Sequence, residues 1–536
     1  MDNKIQSITS KLWAMANELR GNMDASEFKN YILSFMFYRY LSEHQERYLA
    51  ETNVLEPREG MTINDIYMEE AVGEDLNDYL EEIALSLGYA IAPEDTWESL
   101  CNKINDSSVI PSDYQNIFDN FNNNVKLNTN AEEDFTGVFN DINLGDSRLG
   151  ATTTARAKAL SNIVKLVDEI DYMSEDGRDI LGEIYEYLIG QFAASAGKKG
   201  GEFYTPHQVS QILARIVTSG RKETSEKFSL YDPTMGSGSL LLTVRDALPG
   251  GEKTGSIDFY GQELNTTTYN LARMNLMMHG VEYKNMTLHN ADTLENDWPD
   301  GPDDKGIDRP RSFDAVVANP PYSAKWDNSE RKLKDPRFSE YGKLAPASKA
   351  DFAFILHSLY HLKDTGKMAI VLPHGVLFRG AAEGKIRKVL IESKNYLDAV
   401  IGLPSNLFYG TGIPTTILVF RKDRTARNVH DILFIDASNE FVKGKNQNTL
   451  TDEIIDKIVT TYEKRETVDK YSYLASMEEI KENDYNLNIP RYVDTFEEEE
   501  PIDLLEVARL LEEDNREIAK LEAEINEQLK ILGLEL

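Results

Sequence analysis

Seven short apolar runs, separated mostly by segments long enough for a helix, constrain the fold of this chain more than any other feature. The runs are Phe228–Tyr231, Ile257–Tyr260, Phe313–Ala318, Lys367–Leu372, Leu397–Ile401, Thr415–Phe420 and Ile432–Ile435. Strands that alternate with helices form βαβ units, with parallel strands and helices on both faces of the sheet. The sequence therefore predicts a doubly wound α/β domain. The last two runs lie too close together for an intervening helix, which predicts an antiparallel hairpin at the sheet edge.

The chain on either side of this region has a different texture. Residues 1–165 contain little glycine or proline and space their apolar residues as helices do, which predicts an all-α N-terminal domain. Within it, the Asn-rich stretch 116–130 is interpreted as a loop between helices. The predicted organisation is a helical domain over 1–165, an α/β domain over 166–475 and a C-terminal segment over 476–536.

The C-terminal segment carries apolar residues at alternating spacings of three and four, a pattern typical of a coiled-coil helix. This apolar seam consists of Leu504, Val507, Leu511, Ile518, Leu521, Ile525 and Leu532. A seam of this length must be buried against another surface. Both a partner helix and the N-terminal helices of the same chain fit that requirement.

Composition excludes several classes of protein. The single cysteine, Cys101, rules out a disulfide framework or a four-cysteine zinc site, and the eight histidines form no ligand pattern, so we expect no metal. No stretch approaches eighteen apolar residues, so we expect no membrane association and a cytoplasmic protein. The net charge is −34, from 57 Lys and Arg against 91 Asp and Glu. Because nucleic-acid affinity comes largely from cations that displace phosphate counterions, this balance argues against a free-standing nucleic-acid binder.

Three features follow the first strands in order. Asp232-Pro-Thr-Met-Gly-Ser-Gly-Ser239 is a glycine-rich turn between a strand and a helix, where backbone N–H groups approach a ligand closely. Glu263 stands at the tip of the second strand, where an acid can accept hydrogen bonds from ribose hydroxyls. Asp292 follows the apolar segment 286–288 and can accept a hydrogen bond from an adenine amine. Taken singly, each also fits an ordinary turn or a solvated loop acid.

The fourth feature, Asn319-Pro-Pro-Tyr322, directly follows the run Phe313–Ala318. An aromatic exocyclic amine is a poor nucleophile because its lone pair is delocalised into the ring. Two acceptors on its hydrogens, the Asn319 side-chain oxygen and the Pro320 carbonyl, favour a pyramidal nitrogen that can attack a methyl donor. Pro321 stiffens this backbone, and Tyr322 offers a stacking face for a base drawn out of its helix.

Together with Glu202-Phe-Tyr-Thr-Pro-His207 upstream, these features occur in the same order as in the amino-methyltransferases of DNA, which the chain resembles. The resemblance implies S-adenosylmethionine as cofactor, with Asp232 at its amino group, Glu263 at its ribose and Asp292 at its adenine. The residues implied to bind the cofactor are Glu202, Phe203, Tyr204, Thr205, Pro206, His207, Asp232, Gly236, Ser237, Gly238, Ser239, Glu263 and Asp292. Those implied to act on the base are Asn319, Pro320, Pro321 and Tyr322. Met235 departs from the small residue often found in the family's glycine turn, which we interpret as a packing variation.

The resemblance narrows to the modification (M) subunit of type I restriction–modification systems. The helical N-terminal region, a predicted helix over Asp179–Phe192 and the segment Asn483–Tyr492 all match that pattern, so the likeness covers nearly the whole chain. It implies methylation of adenine N6 in DNA. It also implies that two M chains assemble with one specificity (S) subunit, joined by a restriction (R) motor nuclease. A subunit that relies on a partner to read sequence needs less positive surface of its own.

Other activities fit less well. Methylation at cytosine C5 needs a cysteine nucleophile, whereas Cys101 lies in the helical region. Methylation of a protein glutamine and a stand-alone adenine methyltransferase remain alternatives. One local source of positive charge is residues 305–349, with ten Lys and Arg against six Asp and Glu. We expect this loop, and Arg331, Lys332 and Lys334 in particular, to lie over the DNA backbone.

Overall fold

The computed structural model describes the greater part of the chain. The described residues are 8, 10, 12–13, 23, 25–173, 179–195, 204–296, 311–445, 447–495 and 504–532. Two compact units are present, Met1–Val493 and Asp494–Leu536. In the described part of the chain, no helix is both long enough and apolar enough to cross a membrane.

The N-terminal part of the first unit is helical. Its helices α1 to α7 are Ala25–Glu51, Ile63–Glu70, Asp75–Leu87, Trp97–Asn105, Pro111–Asn124, Glu132–Phe135 and Thr153–Asp168. The prediction of a loop over residues 116–130 is wrong for its first half, which lies in α5. Asparagine is a weak helix former, but Ile117, Phe118 and Phe121 fall on one buried stripe. The Phe118 ring packs against Phe35 of α1 with their centroids 5.8 Å apart. Burial of aromatic surface therefore overrides local propensity here.

The rest of the first unit is built on a nine-stranded sheet. The strands are β1 Phe228–Asp232, β2 Ile257–Glu263, β3 Met286–Asn290, β4 Phe313–Ala318, β5 Leu362–Pro373, β6 Leu397–Gly402, β7 Thr415–Arg421, β8 Ile432–Asp436 and β11 Ser472–Ala475. Their spatial order is β11-β8-β6-β7-β5-β4-β1-β2-β3. Two short strands, β9 Val442–Lys443 and β10 Asn448–Thr449, form a separate ribbon. Strands β3-β2-β1-β4-β5 are parallel, and so is the pair β6 and β8.

Helices lie on both faces of this sheet. The helices of this part of the unit are α8 Leu181–Ser195, α9 His207–Thr218, α10 Ser239–Ala247, α11 Thr266–Met278, α12 Pro336–Ser339, α13 Asp351–Tyr360, α14 Gly375–Phe378, α15 Ala381–Lys388, α16 Asp452–Lys464 and α17 Met477–Glu482. Alternate residues of β4 enter different cores: Ala315 and Val317 join the N-terminal helices, whereas Val316 and Ala318 join α13 and α15. The doubly wound α/β fold is confirmed. The domain limits at 165 and 475 stay predictions.

The predicted hairpin between the last two apolar runs is wrong. Strand β7 lies between β5 and β6, antiparallel to both, and β8 pairs with β6 and β11. Six of the seven residues of β7 are buried, so both of its faces require cover. The connection over 422–431 is long enough to pass the end of β6. A central position in the sheet therefore suits β7 better than an edge hairpin with β8, its neighbour in sequence.

The second unit contains one described helix, α18 Leu504–Ile531. The seam residues between Val507 and Ile525 lie on this helix with their side chains exposed: Val507 is 42 %, Leu511 58 % and Ile518 52 % accessible. A helix with this much exposed apolar surface presents an interaction face.

A buried ion pair near the amino ends of the parallel strands supports the sheet. Asp398 of β6 accepts hydrogen bonds from Arg424, from Arg465 at 2.9 Å and from Tyr462 at 3.0 Å. The side chains of Asp398 and Arg424 are 6 % and 1 % exposed. Removing the carboxylate leaves a buried guanidinium without its counter-charge, which is expensive in an interior.

We predict that Asp398→Ala lowers the free energy of unfolding by about 3–5 kcal/mol. The control is Glu223→Ala, which breaks an ion pair with Lys253 whose two side chains are 55 % and 61 % exposed. That change is expected to cost less than about 1 kcal/mol. Urea titration followed by circular dichroism compares the two variants. Equal losses would mean that burial does not set the value of the Asp398 pair.

Candidate active site

The predicted site residues meet at one edge of the sheet. Strands β4, β1, β2 and β3 are parallel neighbours, so their carboxyl ends lie side by side. Asp232 and Glu263 are the last residues of β1 and β2, and Asp292 and Asn319 follow β3 and β4. The sheet thus gathers residues that are almost 90 positions apart. Ligands bind at this edge in open α/β sheets.

The glycine turn is shaped by two residues with left-handed backbone. Gly236 has φ +56° and Gly238 has φ +77°, a conformation that favours glycine. A Cβ at Gly238 would lie 2.4 Å from Leu276 Cδ1, so α11 packs closely against this turn. The Gly236 N–H donates to Glu263 Oε2 at 3.1 Å. This bond fixes the turn to the end of β2.

Two acids, the buried Asp232 and the partly buried Glu263, give the site its electrostatic character. Asp232 is 1 % exposed, and burial raises its pKa to about 8. Burial also raises the pKa of Glu263. Asp232 Oδ1 accepts from the Thr234 N–H at 2.9 Å, and Glu263 Oε1 accepts from the Asn265 N–H at 2.8 Å. Among the described residues, no Lys or Arg forms an ion pair with either acid. Such a site favours a ligand that brings its own positive charge.

Asn319 is held in place by two neighbours. Its Nδ2 donates to Thr205 Oγ1 at 3.0 Å, and the Tyr322 hydroxyl donates to Asn319 Oδ1 at 3.0 Å. The amide oxygen therefore points in a fixed direction and keeps a second lone pair for another donor. Pro320 is buried and Pro321 is exposed. Burial raises the pKa of Tyr322 well above its ordinary value, so its hydroxyl stays protonated.

A small cavity joins the upstream element to the glycine turn and to Asn319. Its lining residues are Tyr204, Thr205, Asp232, Thr234, Met235, Gly236, Ser237, Ser239, Leu240 and Asn319. Pro206 precedes α9, whose first residue, His207, is exposed. Glu202 and Phe203 lie outside the described residues. Asp292 is half-buried, and its carboxylate accepts from the Leu294 N–H at 2.9 Å.

Two aromatic residues near the site escaped the sequence analysis. Phe408 and Tyr409 lie in the connection between β6 and β7. The Phe408 ring meets Tyr322 edge-on with centroids 5.9 Å apart, and the Tyr409 ring lies 6.0 Å from Tyr204. The sequence feature that could have pointed to them is an aromatic pair within a connection that contains Gly and Pro. Only the folded chain brings it to residues more than 80 positions away.

Asp351 is another functional residue that the sequence alone does not single out. It positions the turn after Tyr322. Its Oδ1 accepts from the Ser323 N–H at 2.9 Å, and its other oxygen pairs with Arg379. Ser323 has φ +54°, which is strained for a residue with a side chain. The buried acid therefore stabilises a turn that would otherwise relax.

The positively charged loop predicted over residues 305–349 differs in part from its prediction. Lys332 is 5 % exposed and donates to the Leu294 carbonyl, while Arg331 pairs with Asp327 and Glu295. Lys332 therefore holds the loop on the protein and is poorly placed to contact DNA, whereas the Arg331 side chain is 67 % exposed. The exposed lysines of the described part of the loop are Lys325, Lys334 and Lys343.

Comparisons with known proteins point to the same family along most of the chain. A family model described as N-6 DNA Methylase matches residues 176–501, and one described as HsdM N-terminal domain matches residues 8–167. The type I restriction enzyme MpnII methylase subunit of Mycoplasma pneumoniae is 38 % identical over 93 % of this chain and 91 % of its own length. The MjaIX methylase subunit of Methanocaldococcus jannaschii is 29 % identical over 98 % of this chain and 91 % of its own.

Among solved structures, the type I restriction-modification system methyltransferase subunit from Streptococcus thermophilus is similar to this chain. It is 47 % identical, with a TM-score of 0.82, over 91 % of this chain and all of that one.

The packing of Met235, in the glycine turn, against Gly261 of β2 can be tested. Its side chain is 3 % exposed, and a Cβ at Gly261 would lie 2.3 Å from its sulfur. We predict that Gly261→Ala costs about 1–3 kcal/mol through overpacking and that Met235→Ala in the same chain recovers part of that loss. Melting temperatures of the two single variants and the double variant give the comparison. Strictly additive losses would contradict direct packing of Met235 on Gly261.

Proposed function

The chain belongs to the N-6 DNA methylase family, in which it is a type I restriction–modification methylase subunit, and we propose that the cavity around Asn319 is where it methylates adenine N6. The observation that carries this proposal is that Thr205 and Asn319, which are hydrogen-bonded to each other, line the same cavity as Asp232 and the glycine turn, while Tyr322 donates to Asn319 from beside it. One part of the cavity suits a cationic cofactor, and the adjoining part suits a planar amine.

The residues present fit S-adenosylmethionine. Asp232 and Glu263 lack a cationic partner among the described residues, and Asp232 has a pKa raised to about 8 by burial. A bound ammonium group would favour its charged form. Asp232 would hold the amino group, Glu263 the ribose and Asp292 the adenine, with the glycine turn and residues 204–207 around them. When bound, the cofactor supplies an electrophilic methyl group.

The protein's own task is to orient the amine. The Asn319 oxygen and the Pro320 carbonyl accept hydrogen bonds from the two N–H groups of adenine N6. The lone pair of that nitrogen then faces the methyl donor. Tyr322 and Phe408, whose rings meet edge-on, offer apolar surface for the flipped base. Fixed acceptors and orientation account for most of the rate enhancement in such a site. The proton can leave after transfer, because the methylated nitrogen is then cationic and acidic.

Sequence recognition is assigned to a partner. The net charge of −34 and the few exposed lysines of the loop argue that this chain alone holds DNA weakly. We propose that it works in the cytoplasm as one of two M chains on a specificity subunit, with a restriction subunit in the full complex. The similarity to a type I methylase subunit over 93 % of the chain favours this assignment over a stand-alone or protein-glutamine methyltransferase.

Asn319→Ala tests the site. We predict that methyl transfer to DNA falls by about 10²–10³-fold, because one acceptor of the amine is lost, while the affinity for S-adenosylmethionine is largely kept. Transfer of a labelled methyl group and calorimetry measure the two quantities. Asn102→Ala, at an exposed helical position, is the matched control and should leave both unchanged. Wild-type turnover by the Asn319 variant would refute the assignment.

The apolar seam of α18 is proposed to pack on helices of the specificity subunit. We predict that Leu511→Glu, Ile518→Glu and Ile525→Glu together abolish co-purification with that subunit but spare cofactor binding, because charges in a helical seam prevent its burial. The control replaces Glu512 and Arg516, an exposed i,i+4 pair, with glutamine. Intact co-purification of the seam variant would show that the subunits meet elsewhere.

A further inference from the structure

A line of fully buried polar side chains runs beneath the candidate active site. Its members are Arg337, His357, Tyr231 and Gln262, which are between 0 % and 2 % exposed. Arg337 Nη1 lies 3.0 Å from His357 Nδ1, and His357 Nε2 lies 2.8 Å from the Tyr231 hydroxyl. That hydroxyl in turn donates to Gln262 Oε1. The line connects the loop after Tyr322 with strands β1 and β2.

The chemistry of these groups permits one arrangement of protons. A guanidinium can only donate, so His357 Nδ1 must accept from Arg337. Complete burial, reinforced by His361 and Arg337, lowers the pKa of His357 well below its ordinary value, so the ring is neutral. Its single proton is then on Nε2 and is donated to Tyr231, whose own proton is donated to Gln262. A directed chain of this kind holds each member in one orientation.

Each strand residue in this line is the immediate neighbour of a cofactor acid. Tyr231 precedes Asp232, and Gln262 precedes Glu263. The third acid, Asp292, precedes Thr293, whose carbonyl accepts from Arg337 Nη1 at 2.7 Å. The Thr293 hydroxyl donates to the Pro233 carbonyl at 2.6 Å, which ties the third strand end back to the first. The Arg337 guanidinium therefore binds the backbone beside Asp292 directly and is linked to the side chains beside Asp232 and Glu263 through His357.

Arg337 is itself rigidly held. It lies in α12, where Asp335 pairs with its Nη2 at 2.6 Å and accepts from its Nε at 3.0 Å. Removing one member of such a buried pair is destabilising, because the other charge is left uncompensated. The same bonds also fix the direction in which Arg337 Nη1 donates, toward the Thr293 carbonyl and His357 Nδ1.

We propose that Arg337, acting through His357 and Tyr231, is a positioning residue that sets the spacing of Asp232, Glu263 and Asp292 around S-adenosylmethionine. The inference rests on the proposed function and goes beyond it, because none of these three residues touches the cavity. The loop that contains Arg337 also carries Lys325, Lys334 and Lys343, which are exposed. Contact of that loop with DNA would therefore change the affinity for the cofactor, and cofactor binding would change the affinity of the loop for DNA by the same factor.

Conservative variants separate positioning from simple support. Tyr231→Phe removes the hydroxyl but keeps the ring, and His357→Leu removes both ring nitrogens. We predict that each raises the dissociation constant for S-adenosylmethionine about tenfold, or about 1.4 kcal/mol. His357→Gln should restore most of the affinity, because an amide can accept at one end and donate at the other. The rate at saturating cofactor should stay close to that of the wild type, so the change appears in KM and leaves kcat unaltered.

Calorimetry on the full-length chain, and methyl transfer with its specificity subunit, give these values. The control is Arg424→Met, which removes another buried arginine near the opposite edge of the sheet. It should lower the melting temperature and leave the affinity for S-adenosylmethionine unchanged.

Two results would overturn the inference. Either Tyr231→Phe and His357→Leu bind S-adenosylmethionine as the wild type does, or Arg424→Met weakens binding as much as they do. If the wild-type chain itself neither binds S-adenosylmethionine nor transfers methyl groups, the proposed function fails as well. The wild-type measurement therefore distinguishes the two failures.

Discussion

Four adjacent parallel strands, β4-β1-β2-β3, decide where this protein can do chemistry. Because they run in the same direction, Asp232, Glu263, Asp292 and Asn319 emerge together at one edge of the sheet. Burial at that edge raises the pKa of Asp232 and of Glu263, so a cationic ligand is favoured there. The same edge places Asn319 in one cavity with Asp232 and the glycine turn, where we propose that the cofactor binds. Topology thus supplies the juxtaposition, and electrostatics selects the ligand.

The rest of the fold supports this edge from below and from the side. The buried line from Arg337 to Gln262 orients the strand ends, and Asp351 holds the turn that follows Tyr322. The N-terminal helices share one hydrophobic core with one face of the sheet, so they act as part of the scaffold. The exposed seam of α18 fits a subunit that completes its function in an assembly. An acidic chain of this kind gains its hold on DNA from its partners.

The features that the sequence predicts well are local ones. The glycine turn, the acids and Asn319-Pro-Pro-Tyr322 each follow an apolar run, and the structure places them after neighbouring parallel strands, while their roles stay predictions. Prediction from the sequence fails where pairing or burial depends on distant segments. The place of β7 between β5 and β6, the helix at 111–124 and the burial of Lys332 are all set by tertiary packing. The approach of Phe408 to Tyr322 has the same origin.

The central claim is that this chain carries the methylating site but depends on a partner to find its target. The most direct test is transfer of a labelled methyl group from S-adenosylmethionine to genomic DNA that lacks prior methylation, with and without the specificity subunit. We expect label in N6-methyladenine only when the specificity subunit is present. Label in N6-methyladenine from the chain alone would contradict this claim and would mean that the chain reads its own target despite its acidic surface.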